Sequence, residues 1–256
     1  MKPSQDLPET RAANDHWDHV YSAKEPCPQS PEHPVFRAAV EHFGSLEGVR
    51  VCDLGCGTGE FALAFAAAGA EVVAIDRSEA ATQRLSEWVV KQGIKNLTVV
   101  CDDALQVAKY GPFDRMFGAM ILHHVEPFDA LVSALDNALA MDGRAFFFEN
   151  NAGIGRLALW FRAHLAGKGW FPKHGDPDEF PLTGREVAQL RERFAVRVVF
   201  PELALFRLVS HYIFRDRVFP GFFAWLDRFA YRFRQIRTMS YQQYLLLASA
   251  GDREFS

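Results

Sequence analysis

One stretch, Val51-Cys52-Asp53-Leu54-Gly55-Cys56-Gly57-Thr58-Gly59, constrains this chain more than any other. Arg50 to Leu54 is a short apolar run suited to a buried strand, and glycine then recurs at alternate positions just before the apolar helical pattern Glu60 to Ala68. Alternate glycines strip the turn of side chains, so a ligand can approach the backbone closely. In an open parallel sheet, such a strand-to-helix turn sits at the carboxyl edge, where ligands bind. A glycine-rich turn alone is common. An acid at the end of the next strand sharpens the signal: Asp76 follows Glu71 to Ile75, where a carboxylate can accept both hydroxyls of an adenosine ribose.

The pattern continues as alternating strands and helices. Ser78 to Gln92 is an amphipathic helix, Leu97 to Cys101 a third strand, Asp114 to Met120 a fourth, Pro127 to Leu139 a helix and Arg144 to Glu149 a fifth strand. Strands joined by crossover helices require right-handed βαβ units and a parallel sheet. The tail departs from this alternation. A further helix is predicted over Gly153 to Leu165, and a Gly/Pro/Asp-rich segment, Gly167 to Pro181, leads to Thr183 to Phe194, where Thr183 and Glu186 form a capping box. Strands are expected at Val196 to Phe200 and Tyr241 to Ala248. Between them Phe222, Leu226, Phe229, Phe233 and Ile236 recur at steps of four and three, which predicts one apolar face on a helix spanning Phe222 to Arg237. That face has to be covered by the domain's own core or a substrate lid, by a second subunit, or by a membrane surface.

Composition excludes several classes. At 256 residues, with 49% apolar and 23% charged, the chain is neither collagenous, low-complexity nor wholly disordered. Met1 to Thr10 is polar, so no secretory signal is expected, and charged residues interrupt the richest apolar stretch. Cys27, Cys52, Cys56 and Cys101 show neither C-x-x-C nor zinc-ligand spacing, and the three near strands read as small buried thiols; a reducing cytoplasm fits. The nine histidines form no H-E-x-x-H and no carboxylate cluster, so no catalytic metal is expected. The net charge of −4 divides unevenly: 16 Lys/Arg face 25 Asp/Glu up to Thr183, whereas 12 Arg face seven acids from Gly184 onward. This basic tail suits anionic lipid, nucleic acid or an acidic substrate, or forms solvated helix faces.

Asp53-Leu54-Gly55-Cys56-Gly57-Thr58-Gly59 resembles the first motif of class I S-adenosylmethionine-dependent methyltransferases. Further elements follow in the family's order over residues 49 to 150: Asp76, then Cys101-Asp102-Asp103-Ala104, then Phe113-Asp114-Arg115-Met116-Phe117 through Ile121-Leu122-His123-His124-Val125, then Met141-Asp142-Gly143-Arg144 as the turn before strand five. The resemblance implies an α/β fold, a Rossmann-like, seven-stranded, mostly parallel sheet with an antiparallel last strand, an N-terminal helical lid over 1–48 and a helical insertion at about 201–239. It implies S-adenosylmethionine held by Tyr21, Asp53, Gly55, Cys56, Gly57, Asp76, Arg77, Asp102, Asp103, Ala104 and Ala119, with Asp103 the better match and Asp102 the competitor for the adenine amino group. A dinucleotide-binding domain is the structural rival. Its G-x-G-x-x-G places a pyrophosphate on a helix N-terminus, whereas here the third glycine comes one position early and an acid precedes the first. An acidic strand end suits an ammonium and a sulfonium better than a pyrophosphate.

Methyl transfer is an in-line displacement at an already activated carbon, so the protein has to position the acceptor and exclude water. A general base is needed only for a protonated hydroxyl or amine. His124 is the first candidate and His123 the second, although both could merely shape the pocket. By position Trp17, Glu149, Asn150, Asn151, His211 and Tyr212 can reach the acceptor; docking, helix capping and packing are their structural alternatives. The expected acceptor is a small or medium, apolar or aromatic molecule. Nucleic acid is disfavoured, peripheral membrane contact through 222–237 is open, and so is oligomerisation. A cofactor-binding scaffold or partner subunit without turnover, and a nucleic-acid methyltransferase, are the two alternatives.

Overall fold

Strands β1 (Arg50–Leu54), β2 (Glu71–Asp76), β3 (Leu97–Cys101), β4 (Phe113–Ala119), β5 (Leu139–Asn150), β6 (Phe194–Val199) and β7 (Gln242–Ser249) form one sheet in the order β3-β2-β1-β4-β5-β7-β6. β1 to β5 are parallel, and β7 lies antiparallel between β5 and β6. The computed structural model describes residues 18, 21, 24–152, 181–202, 206, 210 and 220–249. The predicted helix at Gly153 to Leu165, and most of the segment after it, lie outside these residues.

Side chains alternate across the pleat, which gives the sheet two cores. Val51, Val72, Ala74, Phe117 and Phe146 point to one face, where they meet α1 (Pro34–Phe43), α2 (Glu60–Ala67) and α3 (Glu79–Gln92). Cys52, Leu54, Ile75, Met116 and Phe147 point to the other, against α4 (Phe128–Ala138) and α5 (Gly184–Leu190). Helix ends follow local chemistry. The Ser78 hydroxyl accepts the Ala81 N–H at the start of α3, and the capping box at Thr183 and Glu186 is formed at α5.

Three expectations are corrected. The turn at Met141 to Arg144 is absorbed into β5 as a bulge: two steps along β4, from Phe113 to Arg115, face five along β5, from Leu139 to Arg144. Cys101 is exposed because β3 is an edge strand, so only Cys52 is a fully buried thiol. The helix expected over Phe222 to Arg237 is two helices, α6 (Pro220–Ala230) and α7 (Arg234–Arg237). At the break, Arg232 and Phe233 switch to hydrogen bonds three residues back, and Arg237 Nε donates to the carbonyl of Tyr231 at 2.6 Å. Phe222, Phe229 and Phe233 of the predicted apolar face are exposed, so the domain's own described core does not cover them.

Candidate active site

The strand order reverses between β1 and β4, and the crevice beyond their carboxyl ends is where an open α/β sheet binds its ligand. Here β1 runs into the glycine turn. Gly57 has φ +52°, and a Cβ placed on it would come within 2.9 Å of the Tyr21 ring, so only glycine lets that ring lie against the turn. Gly55, at φ +69°, is equally closed, because a Cβ would strike Ile121 at 2.7 Å.

Two carboxylates define the charge of the turn. Asp76, at the end of β2, accepts the Gly57 N–H on Oδ2 at 2.8 Å and the Ser78 N–H on Oδ1 at 2.9 Å. Each oxygen keeps a second lone pair, enough for two vicinal hydroxyls. Burial pushes the Asp76 carboxyl above the ordinary carboxylate range, against the pull of these backbone donors and of Arg77. Asp53, at the end of β1, is 2% exposed. Burial lifts it to about 7, with Asp76 and Glu60 adding repulsion and the Ala62 N–H opposing. Its Oδ2 is buried with no hydrogen-bond partner among the described residues. A buried, unpartnered carboxylate oxygen is costly unless a donor or cation completes it.

The neighbouring edge separates the two acids after β3. Asp102 is consumed: its oxygens accept from the Asp103 N–H, from Tyr110 Oη at 2.6 Å and from Lys109 Nζ at 3.2 Å. Asp103 caps the short turn beginning at Ala104 through one oxygen, Oδ1 to the Leu105 N–H, which leaves the other for a ligand donor. Beside the turn, the Cys56 thiol is pushed well up by burial and stays protonated.

Beyond β4, Ala119 is followed by Met120 at φ +59°, a left-handed conformation rare outside glycine, and the chain enters a short turn, Leu122–His124. Glu149, fully buried near the end of β5, holds that turn. Oε1 accepts the N–H groups of Ile121 and Leu122 at 3.0 and 2.7 Å, while Oε2 lies 2.5 Å from His123 Nδ1. The His123 and His124 rings are 4.0 Å apart. Glu149 was expected to reach the acceptor by position; its carboxylate is engaged with the turn instead. Asn151 likewise works as a tether, its amide donating to the carbonyls of Thr238 and Ser240 at 3.0 and 2.9 Å. Asn150 is buried in β5. Trp17, His211 and Tyr212 lie outside the described residues.

Two contacts were not expected from sequence. Asp18 accepts the Ser78 hydroxyl at 2.5 Å and the Ala80 N–H at 3.3 Å, which seats this one residue against the start of α3. The signal was the N-cap serine, Ser78, two residues after Asp76. Met120 carried none, because a left-handed methionine has no sequence signature.

The family described as "Methyltransferase domain" matches residues 51–143, the span that holds the glycine turn, both acidic edges and the His-His turn. Residues 51–143 thus match a methyltransferase domain, over the span in which the motifs resemble those of class I, S-adenosylmethionine-dependent enzymes. Among curated proteins this domain is similar to the ubiquinone biosynthesis O-methyltransferases of Bordetella parapertussis, 36% identical over 109 residues covering 42% of this chain and 45% of that protein, and of Idiomarina loihiensis, 30% identical over 143 residues covering 55% and 58%. The chain thus spans about half the length of the curated relatives it matches. Among solved structures the methyltransferase fold recurs in magnesium protoporphyrin IX methyltransferase of Synechocystis PCC 6803 with bound S-adenosylhomocysteine (17% identity, TM-score 0.55, 97% and 90% of the two chains). It also recurs in the cyclase SpnF (17% identity, TM-score 0.59, 93% and 95%). A cyclase on the same scaffold shows that the fold alone does not fix the reaction. Among the described residues no group of three His, Cys, Asp or Glu side chains is placed to hold a metal ion, and no helix is long and apolar enough to cross a membrane.

Proposed function

We propose that this protein transfers a methyl group from S-adenosylmethionine to an oxygen or nitrogen of a small, apolar or aromatic organic acceptor in the cytoplasm. The observation that carries the reading is the buried, unpartnered Asp53 oxygen beside a glycine turn whose other carboxylate, Asp76, retains two acceptor sites. A cationic, adenosine-bearing ligand completes both, and a pyrophosphate would meet two negative charges. The cofactor supplies a methyl carbon activated by a cationic sulfur. The chain's residues supply placement: Asp53 faces the ammonium end, Asp76 takes the ribose hydroxyls, Asp103 takes the adenine amino group, and Tyr21 closes over Gly57 to keep water out. Oxygen as the accepting atom is supported by the names of the curated relatives.

The acceptor's proton goes to a histidine. His123 is the stronger base candidate because Glu149 holds Nδ1–H and so leaves Nε2 as the basic nitrogen, the arrangement by which a carboxylate fixes an imidazole tautomer. His124 then shapes the pocket against the His123 ring.

The test is release of S-adenosylhomocysteine across a panel of catechols, phenols, quinone precursors and small amines, beside calorimetric titration with S-adenosylhomocysteine and NADH. Turnover on phenolic or catecholic acceptors, with no NADH binding, is expected. NADH binding in place of the homocysteine nucleoside would sink the reading.

A further inference from the structure

From the exposed helix α6 and the turn after it, we infer that this face is a docking surface for anionic lipid bilayers. Phe222, Trp225, Phe229 and Phe233 form a continuous ladder, with successive ring centroids 6.0, 5.6 and 5.8 Å apart. Their relative exposures are 52, 51, 45 and 49%. The opposite side of α6 is the packed one: Asp227 and Ala230 are buried, and Asp227 accepts the Phe206 N–H at 2.9 Å. The helix is therefore seated on Asp227 and Ala230, with Phe223, Ala224 and Leu226 half-buried beside them, and still turns its aromatic ladder outward.

Charge selects the occupant. Arg228, Arg232, Arg234 and Arg237 are all exposed, and Asp227, the only acid between residues 220 and 240, is buried. Arg232 lies 5.9 Å from the Phe229 ring centre, so cation and aromatic share one surface. Aromatic side chains that enter the acyl boundary beside guanidinium groups at headgroup level are the signature of an interfacial anionic-lipid contact. A second copy of this face would bring arginines against arginines. Single-stranded nucleic acid needs open ring faces for its bases, but Phe222, Trp225 and Phe229 already stack on one another at interplanar angles of 21° and 17°.

The face also has a fixed relation to the crevice. Asn151, just past the carboxyl end of β5, holds the carbonyls of Thr238 and Ser240, and its N–H donates to Tyr241 O at 2.8 Å. The chain leaving α7 is thus tied to the edge of the sheet that carries the glycine turn. The inference stands independently of the methyl-transfer reading.

Flotation of the full chain with phosphatidylglycerol-containing vesicles and with pure phosphatidylcholine vesicles tests it, with S-adenosylhomocysteine titration as the control for an intact fold. Binding to the anionic vesicles, at least tenfold weaker on neutral ones and weakened by salt, is expected. The double variant Trp225→Ser/Phe229→Ser should lose at least tenfold in vesicle affinity, and Arg228→Gln/Arg232→Gln should lose the anionic preference, both with unchanged nucleoside binding. Failure to float with anionic vesicles overturns the inference, as does flotation that the variants leave untouched. Self-association that the aromatic variants abolish without any vesicle binding assigns the face to a second copy. Retention on single-stranded RNA in preference to vesicles assigns it to nucleic acid.

Discussion

Glu149 Oε2 lies 2.5 Å from His123 Nδ1, and both side chains are almost entirely shielded from solvent. The other oxygen of Glu149 accepts two backbone N–H groups, so one carboxylate fixes both the path of the Leu122–His124 turn and the tautomer of the ring beside it. Glu149→Gln keeps the shape but must aim an NH2 group at one of three donors. We expect kcat to fall about a hundredfold, the scale of a displaced general base, and stability to fall by about 1–3 kcal/mol. The affinity for S-adenosylhomocysteine should stay within a few-fold. His123→Ala should match the loss in kcat, whereas His124→Ala should cost only several-fold. Turnover and calorimetry on the three variants check this, and a dominant His124 effect would reverse the assignment.

On the proposed function Asp53 ties cofactor affinity to pH. Its folded-state value is raised to about 7 from an ordinary 3.8, so the free protein holds this proton between those limits while the unfolded chain has released it. The associated stability is complete below 3.8 and is lost as pH rises through 7; at neutral pH and above the buried charge costs at most about 4 kcal/mol. A cationic ligand reverses that cost. S-adenosylmethionine should therefore bind more tightly as pH rises from 6 to 8, approaching tenfold per unit below 7. Asp53→Asn should flatten this dependence, weaken the cofactor and raise the melting temperature of the free protein above pH 7. A pH series of calorimetric and thermal-melt measurements reads all three.

The strands up to β5 were legible because each is a short apolar run closed by a turn residue, and tertiary packing agrees with that local pattern. The positions of Asp53 and Asp76 were legible for a related reason: a charge near the end of an otherwise apolar strand stands out, and the structure places both at the glycine turn, Asp53 buried and Asp76 holding the Gly57 and Ser78 N–H groups. The roles of Glu149 and Asn151 were not. Both occupy a position that reaches the crevice, and only the backbone of the next turn, brought close by β4 and β7, shows that their polar atoms are engaged there. The aromatic helix failed differently. Its periodicity was real, but a stripe at helical spacing says only that one face is apolar, not that the face is the buried one. Asp227, on the other side, was the residue that located the packed surface.

His42 sets an acid limit on the fold. It is buried against β5 and β7, with Nε2 3.1 Å from Ala145 O and 3.2 Å from Leu247 O. Burial lowers it to about 4 from 6.5, with Arg144 and Arg197 adding to the effect and the carbonyls opposing it. The unfolded chain binds this proton first, so the contribution is present above 6.5 and is lost as pH falls through about 4. Up to about 3 kcal/mol is at stake. Denaturant melts of the wild type should show stability falling across that window, and His42→Gln should remove part of the slope. An unchanged slope would place the acid limit elsewhere.

On the proposed function Asp76 serves both fold and ligand, because the two oxygens assigned to the ribose already hold the Gly57 and Ser78 N–H groups. Removing it should therefore act twice. Asp76→Ala leaves both donors without their acceptor and takes away both ribose contacts. Charge-assisted bonds of about 1.5–3 kcal/mol each predict an affinity for S-adenosylhomocysteine at least a hundredfold weaker. The loss of local order should lower the melting temperature by a few degrees, following the usual conversion of about 2–4 °C per kcal/mol at this chain length. Asp76→Asn should rescue little, since its NH2 group must face either Gly57 N–H or Ser78 N–H and cannot accept from it. Asp76→Glu keeps the charge but moves it outward by one methylene, and should bind between the wild type and the alanine variant. An asparagine variant of wild-type affinity would show that the ligand does not use both oxygens as acceptors.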